Sequence, residues 1–217
     1  MIKVKICGLS SPESVQAAVT AGADFAGFVF FARSPRAVTA AQAAQLARGV
    51  PAGVGKVGLF ADANDAAIAA VLAEAQLDYL QVHGAETPER VGQIRARFGL
   101  PVIKAVAIAE AADIGRAQGY EAVSDILLFD AKPPLTQDAL PGGNGLVFDW
   151  TLIAERKWTR PWMLSGGLDA ENLAEGVRIS GATMVDVSSG VESAPGIKDL
   201  AKIRRFIEAA KHLKLEN

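Results

Sequence analysis

The chain switches repeatedly between two kinds of segment, and this alternation constrains its fold more than any other feature. Short runs rich in apolar and β-branched residues lie near 2–6, 25–30, 54–60, 79–82, 101–107, 125–129, 162–165 and 184–188. Ala-rich stretches with helical spacing separate them, and one more follows the last. Strands alternating with helices imply a parallel sheet, because consecutive parallel strands need a crossover and a helix supplies it. The strand starts recur roughly every 20–37 residues, close to what one βα unit requires. Eight units in 217 residues favour an α/β fold of the closed (β/α)8 type, a single-domain TIM barrel over residues 1–217. The competing doubly wound sheet usually opens with a Gly-rich nucleotide loop, and Cys7-Gly8-Leu9-Ser10 is not one.

Helix ends are marked in the same pattern. Ser10-Ser11-Pro12-Glu13 is a start signal with either Ser as cap, and Gly22 suits the stop. Thr87-Pro88 opens a helix carrying Val91, Ile94 and Phe98, closed by Gly99 and Pro101. In the last helix Leu200, Ile203, Phe206, Ile207 and Ala210 share one face.

Composition removes several classes of function. Half of the residues are hydrophobic, 21% are charged and the net charge is −2, so disorder is excluded and no basic patch for nucleic acid or an anionic membrane stands out. One cysteine excludes an intramolecular disulfide, and two histidines, His83 and His212, are too few for the usual His-based zinc sites. No metal and no cofactor are expected. The N-terminal run alternates Lys with apolar residues, unlike a signal peptide, and no apolar run approaches the ~20 residues of a membrane helix. A cytoplasmic protein with Cys7 as a free thiol is expected, as a monomer or a dimer.

In such a barrel the reactive groups sit at the C-terminal ends of the strands. Ser165-Gly166-Gly167-Leu168 ends the seventh strand, and Val187-Ser188-Ser189-Gly190 ends the eighth. Gly166, Gly167, Ser188, Ser189 and Gly190 therefore form the expected phosphate cradle, since glycines let backbone amides approach an anion. Cys7 ends the first strand. There Ile2, Val4 and Ile6 suit the helix-packed face, which turns Lys3, Lys5 and Cys7 into the barrel. On the eighth strand Asp186 shares the inward face with Ser188, so Lys5 and Asp186 are expected within salt-bridge distance. Asp130 follows an apolar strand and precedes a Pro- and Gly-rich loop, Ala131 to Phe148, that suits a lid over an acid. Arg36, at the barrel mouth, is a natural partner for a carboxylate. His83 ends the fourth strand as a wall residue facing the substrate. Lys104 is expected to point inward and pair with a carboxylate.

Taken together, Lys5-Ile6-Cys7-Gly8, Ser34-Pro35-Arg36, Gln81-Val82-His83-Gly84, Leu128-Phe129-Asp130-Ala131-Lys132, Gly142-Gly143-Asn144-Gly145 through Phe148-Asp149-Trp150, Leu164-Ser165-Gly166-Gly167-Leu168 and Asp186 through Glu192 resemble phosphoribosylanthranilate isomerase. The matches run in order along nearly the whole chain. Asn144 stands where many members carry Thr and Arg33 where many carry Lys, neither at a catalytic position. The resemblance implies an Amadori rearrangement of N-(5-phosphoribosyl)anthranilate in tryptophan biosynthesis, with Asp130 as acid and Cys7 as base. It also implies a small phosphorylated substrate, its phosphate on the two Gly turns and its carboxylate on Arg36. Thiolate character at Cys7 would draw on a nearby cation, for which inward Lys5 is one candidate. The alternatives are another phosphate-binding barrel enzyme, such as a pentose-phosphate epimerase or an indole-glycerol-phosphate synthase, and a non-catalytic phosphate-ligand binding barrel. The first alternative needs two His and two Asp around a metal, the second a Lys and Glu pair at strand ends, and the third a missing acid or base.

Overall fold

The computed structural model describes residues 1–132 and 142–213. Eight parallel strands close on themselves in chain order. They are β1 (Lys3–Cys7), β2 (Phe25–Val29), β3 (Gly55–Phe60), β4 (Tyr79–Val82), β5 (Val102–Ile108), β6 (Ile126–Ala131), β7 (Trp162–Leu164) and β8 (Met184–Val187). Around them lie α1 (Pro12–Ala21), α2 (Ala40–Ala47), α3 (Asp65–Glu74), α4 (Pro88–Phe98), α5 (Ala111–Gln118), α6 (Thr151–Ala154), α7 (Leu173–Ser180) and α8 (Leu200–His212). A ribbon of β9 (Glu192–Ala194) and β10 (Ile197–Lys198) is inserted between β8 and α8. Among the described residues no helix is long and apolar enough to cross a membrane.

The local signals act as expected. Ser11, rather than Ser10, caps α1 by accepting from the Ser14 amide at 3.2 Å, and Gly22 ends it in the left-handed conformation. Thr87 caps α4, with Pro88 as its first residue and Gly99 as its left-handed stop. The helix before β7 is a single turn, because residues up to Trp150 are used by the connection after β6.

Strand alternation divides the core into two layers. Ile2, Val4 and Ile6 join the large cluster under the helices, with Ile203, Phe206, Ile207 and Ala210 of α8. Phe25, Val57, Ile103, Ala105, Ile126, Leu128, Met163 and Met184 fill the barrel itself. The register of β1 with β8 sets Lys5 opposite Asp186, and the expected ion pair is present, Nζ to Oδ1 at 2.7 Å. Lys104 corrects its expectation in part. It is paired, with Glu86 at 2.6 Å, but its neighbours Ile103 and Ala105 take the barrel interior. Alternation therefore turns Lys104 outward, under the β4–α4 connection and 5.4 Å from the Tyr120 ring. Neither Lys104 nor Glu86 lines the cleft.

Candidate active site

A cleft opens at the C-terminal ends of the strands, where the reactive groups of such barrels sit. Cys7, Arg36, His83, Asp130, Gly166, Gly167, Ser188 and Ser189 all line it. Gly190 does not; it lies in the short 3-10 turn Ser189–Val191 and packs against the Leu168 carbonyl. Eight of the nine expected positions are thereby brought to one place, with Gly190 directly behind them.

Cys7 is the last residue of β1 and is 4% exposed. Across from it, β2 carries Gly27, where a Cβ would sit 3.3 Å from both Cys7 Sγ and Lys5 Nζ. A side chain there would press on the sulfur and the ammonium together. Burial pushes the thiol pKa up, and the Asp186 carboxylate adds to this. Lys5 and Lys198 pull the other way without winning. The expectation that Lys5 creates thiolate character is therefore corrected: Lys5 favours the thiolate, but burial outweighs it. Ser165 Oγ donates to Asp186 Oδ2 at 3.0 Å, so both carboxylate oxygens are held.

Asp130 stands on the other side, near the end of β6. Its Oδ1 accepts from the Ala131 amide at 2.9 Å, and its Oδ2 lies 3.1 Å from His83 Nε2. Gln81 Nε2 is 2.9 Å from His83 Nδ1. Part of the expected lid, residues 133–141, lies outside the described residues. Its described continuation crosses the cleft: a Cβ on Gly142 would meet Asp130 Oδ2 at 2.6 Å and His83 Nε2 at 2.7 Å. That approach to the carboxyl is open only to glycine.

Arg36 is buried, and Glu192 orients it through Nε at 2.7 Å and Nη2 at 2.9 Å. The fork leaves Nη1 as the donor for an incoming anion. Glu192 also accepts from Lys198 at 2.8 Å, and Lys198 bonds the Ser188 carbonyl at 2.8 Å. Burial alone would raise the Glu192 pKa, but its bonds to Arg36 and Lys198 hold it below the ordinary carboxylate value. Glu192 and Lys198 thus tie Arg36 to the turn at Ser188. Sequence reading missed both in this role. The signal lay in Glu192 closing the Ser188-to-Glu192 motif, whereas Lys198 meets it only through the ribbon.

The Gly turns have the geometry an anion needs. Gly166 adopts φ +83°, and a Cβ there would sit 2.6 Å from the Ala131 amide nitrogen, so a side chain is excluded twice over. The 3-10 turn after β8 presents its N-terminus at Ser189, matching the short extra helix that commonly binds phosphate in such barrels. Among the described residues no three His, Cys, Asp or Glu side chains cluster as a metal site.

Known proteins resemble this chain over nearly its full length. The family model for N-(5'-phosphoribosyl)anthranilate (PRA) isomerase matches residues 4–209. An N-(5'-phosphoribosyl)anthranilate isomerase of Paramagnetospirillum magneticum is 56% identical over 210 residues, covering 97% of either chain. One from Rhodospirillum centenum is 57% identical over 209 residues, 96% of this chain and 98% of that one. The crystal structure of phosphoribosyl anthranilate isomerase from Thermotoga maritima superposes with a TM-score of 0.88 at 37% identity, covering 98% of this chain and all of that one. Another crystal structure of such an isomerase, in complex with reduced 1-(o-carboxyphenylamino)-1-deoxyribulose 5-phosphate, gives 0.85 at 36% identity and the same coverage.

Proposed function

The chain belongs to the N-(5'-phosphoribosyl)anthranilate isomerase family and carries out that isomerisation in tryptophan biosynthesis, and from this premise we propose that Asp130 is its acid and Cys7 its base. The observation that carries the assignment is their placement on separate strands, β1 and β6, of one cleft that the two Gly turns and Arg36 also line. Asp130 protonates the ribose ring oxygen, and the C1′–oxygen bond breaks to give an open-chain Schiff base. The cationic nitrogen acidifies C2′, and Cys7 removes that proton. Protonation at C1′ and loss of the C2′ hydroxyl proton turn the resulting enolamine into the ketone, 1-(2-carboxyphenylamino)-1-deoxyribulose 5-phosphate, with no net change in atoms.

Burial favours the Cys7 thiol at rest. The positive charge that forms on the substrate favours its thiolate, so the base becomes active where the cation has appeared. The substrate's phosphate is assigned to Gly166, Gly167, Ser188, Ser189 and Gly190, and its carboxylate to Arg36 with His83 alongside. Two anchors at opposite ends of the substrate hold its reacting carbons between acid and base. Every residue assigned comes from one chain, so a single copy is proposed as the catalytic unit, with the cytoplasm as its compartment.

The experiment follows loss of anthranilate-adduct fluorescence on adding purified protein. Cys7→Ser and Asp130→Asn are each expected to lower kcat by at least about two orders of magnitude, as for general acid–base groups. Near-normal turnover in either variant would overturn that residue's role.

A further inference from the structure

Gln81 is 0% exposed and is one of few polar side chains sealed within the sheet. Its Nε2 lies 2.9 Å from His83 Nδ1, whereas its Oε1 is buried without a hydrogen-bond partner. This imbalance fixes the amide's orientation. Turning it over would bring Oε1 to Nδ1 but leave the NH2 group buried with no acceptor, and orphaned N–H groups are rarer than under-used carbonyl oxygens. An amide nitrogen only donates, so Nδ1 accepts and carries no proton. The ring proton is then on Nε2, the atom 3.1 Å from Asp130 Oδ2.

We infer that Gln81 is a positioning residue of the isomerisation: it fixes the tautomer of His83 so that Nε2–H donates to Asp130 Oδ2. The inference rests on the reading of Asp130 as the acid. When Asp130 gives its proton to the ribose oxygen, a negative charge appears on a carboxylate inside the cleft. The Ala131 amide already donates to Oδ1, and Nε2–H then meets Oδ2, so each oxygen of the new anion has a donor in place. No proton needs to move within the ring during the step, and the two donors are oriented before the charge forms. A His83 protonated on Nδ1 would instead aim a lone pair at that carboxylate.

The test uses the full chain with isotopically labelled histidine nitrogens. Signals come from two residues, His83 and His212, and a His212→Gln variant assigns them. The unmodified protein at neutral pH is expected to show His83 protonated on Nε2 and bare on Nδ1. Gln81→Glu, which can only accept, is expected to place a proton on Nδ1. Gln81→Leu is expected to mix the tautomers and lower kcat about tenfold or more while KM changes less than about threefold, since substrate contacts are untouched. Resting His83 protonated on Nδ1 would overturn the inference, as would a folded Gln81→Leu variant with kcat within about twofold of the parent. Should Gln81→Leu not fold, the tautomer of the unmodified protein still decides. The tautomer is read without turnover, so normal activity of Asp130→Asn would sink the acid assignment separately from the ring's orientation.

Discussion

Replacing Asp186 by Ala tests how the barrel holds a charge in its centre. Lys5 is 0% exposed and Asp186 4%, their ion pair spans 2.7 Å, and Ser165 Oγ satisfies the second carboxylate oxygen. Asp186→Ala leaves the ammonium of Lys5 beside Cys7 with no counter-charge. Breaking a pair this deeply buried costs about 3–5 kcal/mol, because the surviving charge stays desolvated. For a chain of this size, where about 1 kcal/mol moves the midpoint by 2–4 °C, the melting temperature should fall by roughly 6–20 °C. Calorimetry of the variant gives the number. The double change Lys5→Met with Asp186→Leu should recover most of the loss, since it removes the charge as well as its partner. A single variant within about 1 kcal/mol of the parent would refute the reasoning, as would a double variant no more stable than the single one.

Arg36→Met should weaken binding of the anthranilate adduct about 10- to 150-fold relative to an analogue without the carboxylate, the range of one charged hydrogen bond; equal losses in calorimetric titrations of both ligands would make Arg36 purely structural. Turnover should be unchanged by EDTA, because the described residues offer no cluster to hold an ion, and activity lost on chelation and restored by a divalent metal would contradict the mechanism. Cys7 is the sole cysteine, so iodoacetamide reports on it alone. Its raised pKa predicts slow alkylation of the folded protein until the pH passes the ordinary thiol value of about 8.5. Over that window the unfolded thiol loses its proton first, so stability should decline as pH rises, measurable by urea titration at several pH values.

Much of this was legible because a strand has a period of two. Alternation on β1 alone assigned Ile2, Val4 and Ile6 to the helices and Lys5 and Cys7 to the barrel, and the closure rule then paired Lys5 with Asp186. The same reasoning failed at Lys104, where chemistry, an expectation of an inward lysine, was preferred to the alternation of Ile103 and Ala105. The network around Lys104 was also invisible. Glu86 Oε1 accepts from the Asp62 amide at 2.8 Å, and its Oε2 accepts from the Gly84 amide at 2.9 Å and from Lys104. These groups come from two connections, β3–α3 and β4–α4, and from strand β5, so no single local spacing announces them. The Cys7 electrostatics were misread because Lys5 was weighed without the burial of the thiol, which outweighs it, and without Asp186, which adds to that burial from a position 181 residues beyond Lys5.

That separation also sets the order in which the molecule can be made. During synthesis β1 emerges first, yet β8 must be complete before the ring can close. At about 5–20 residues per second, the ribosome takes roughly 10–40 s to travel from Lys5 to Asp186. Throughout that interval one edge of β1 is an open template for any passing strand. Lys3 and Lys5 alternate along it, and uncompensated lysines on a strand edge discourage foreign pairing. Once Asp186 arrives, that same Lys5 passes from an open edge into half of the buried pair beside the Cys7 thiol.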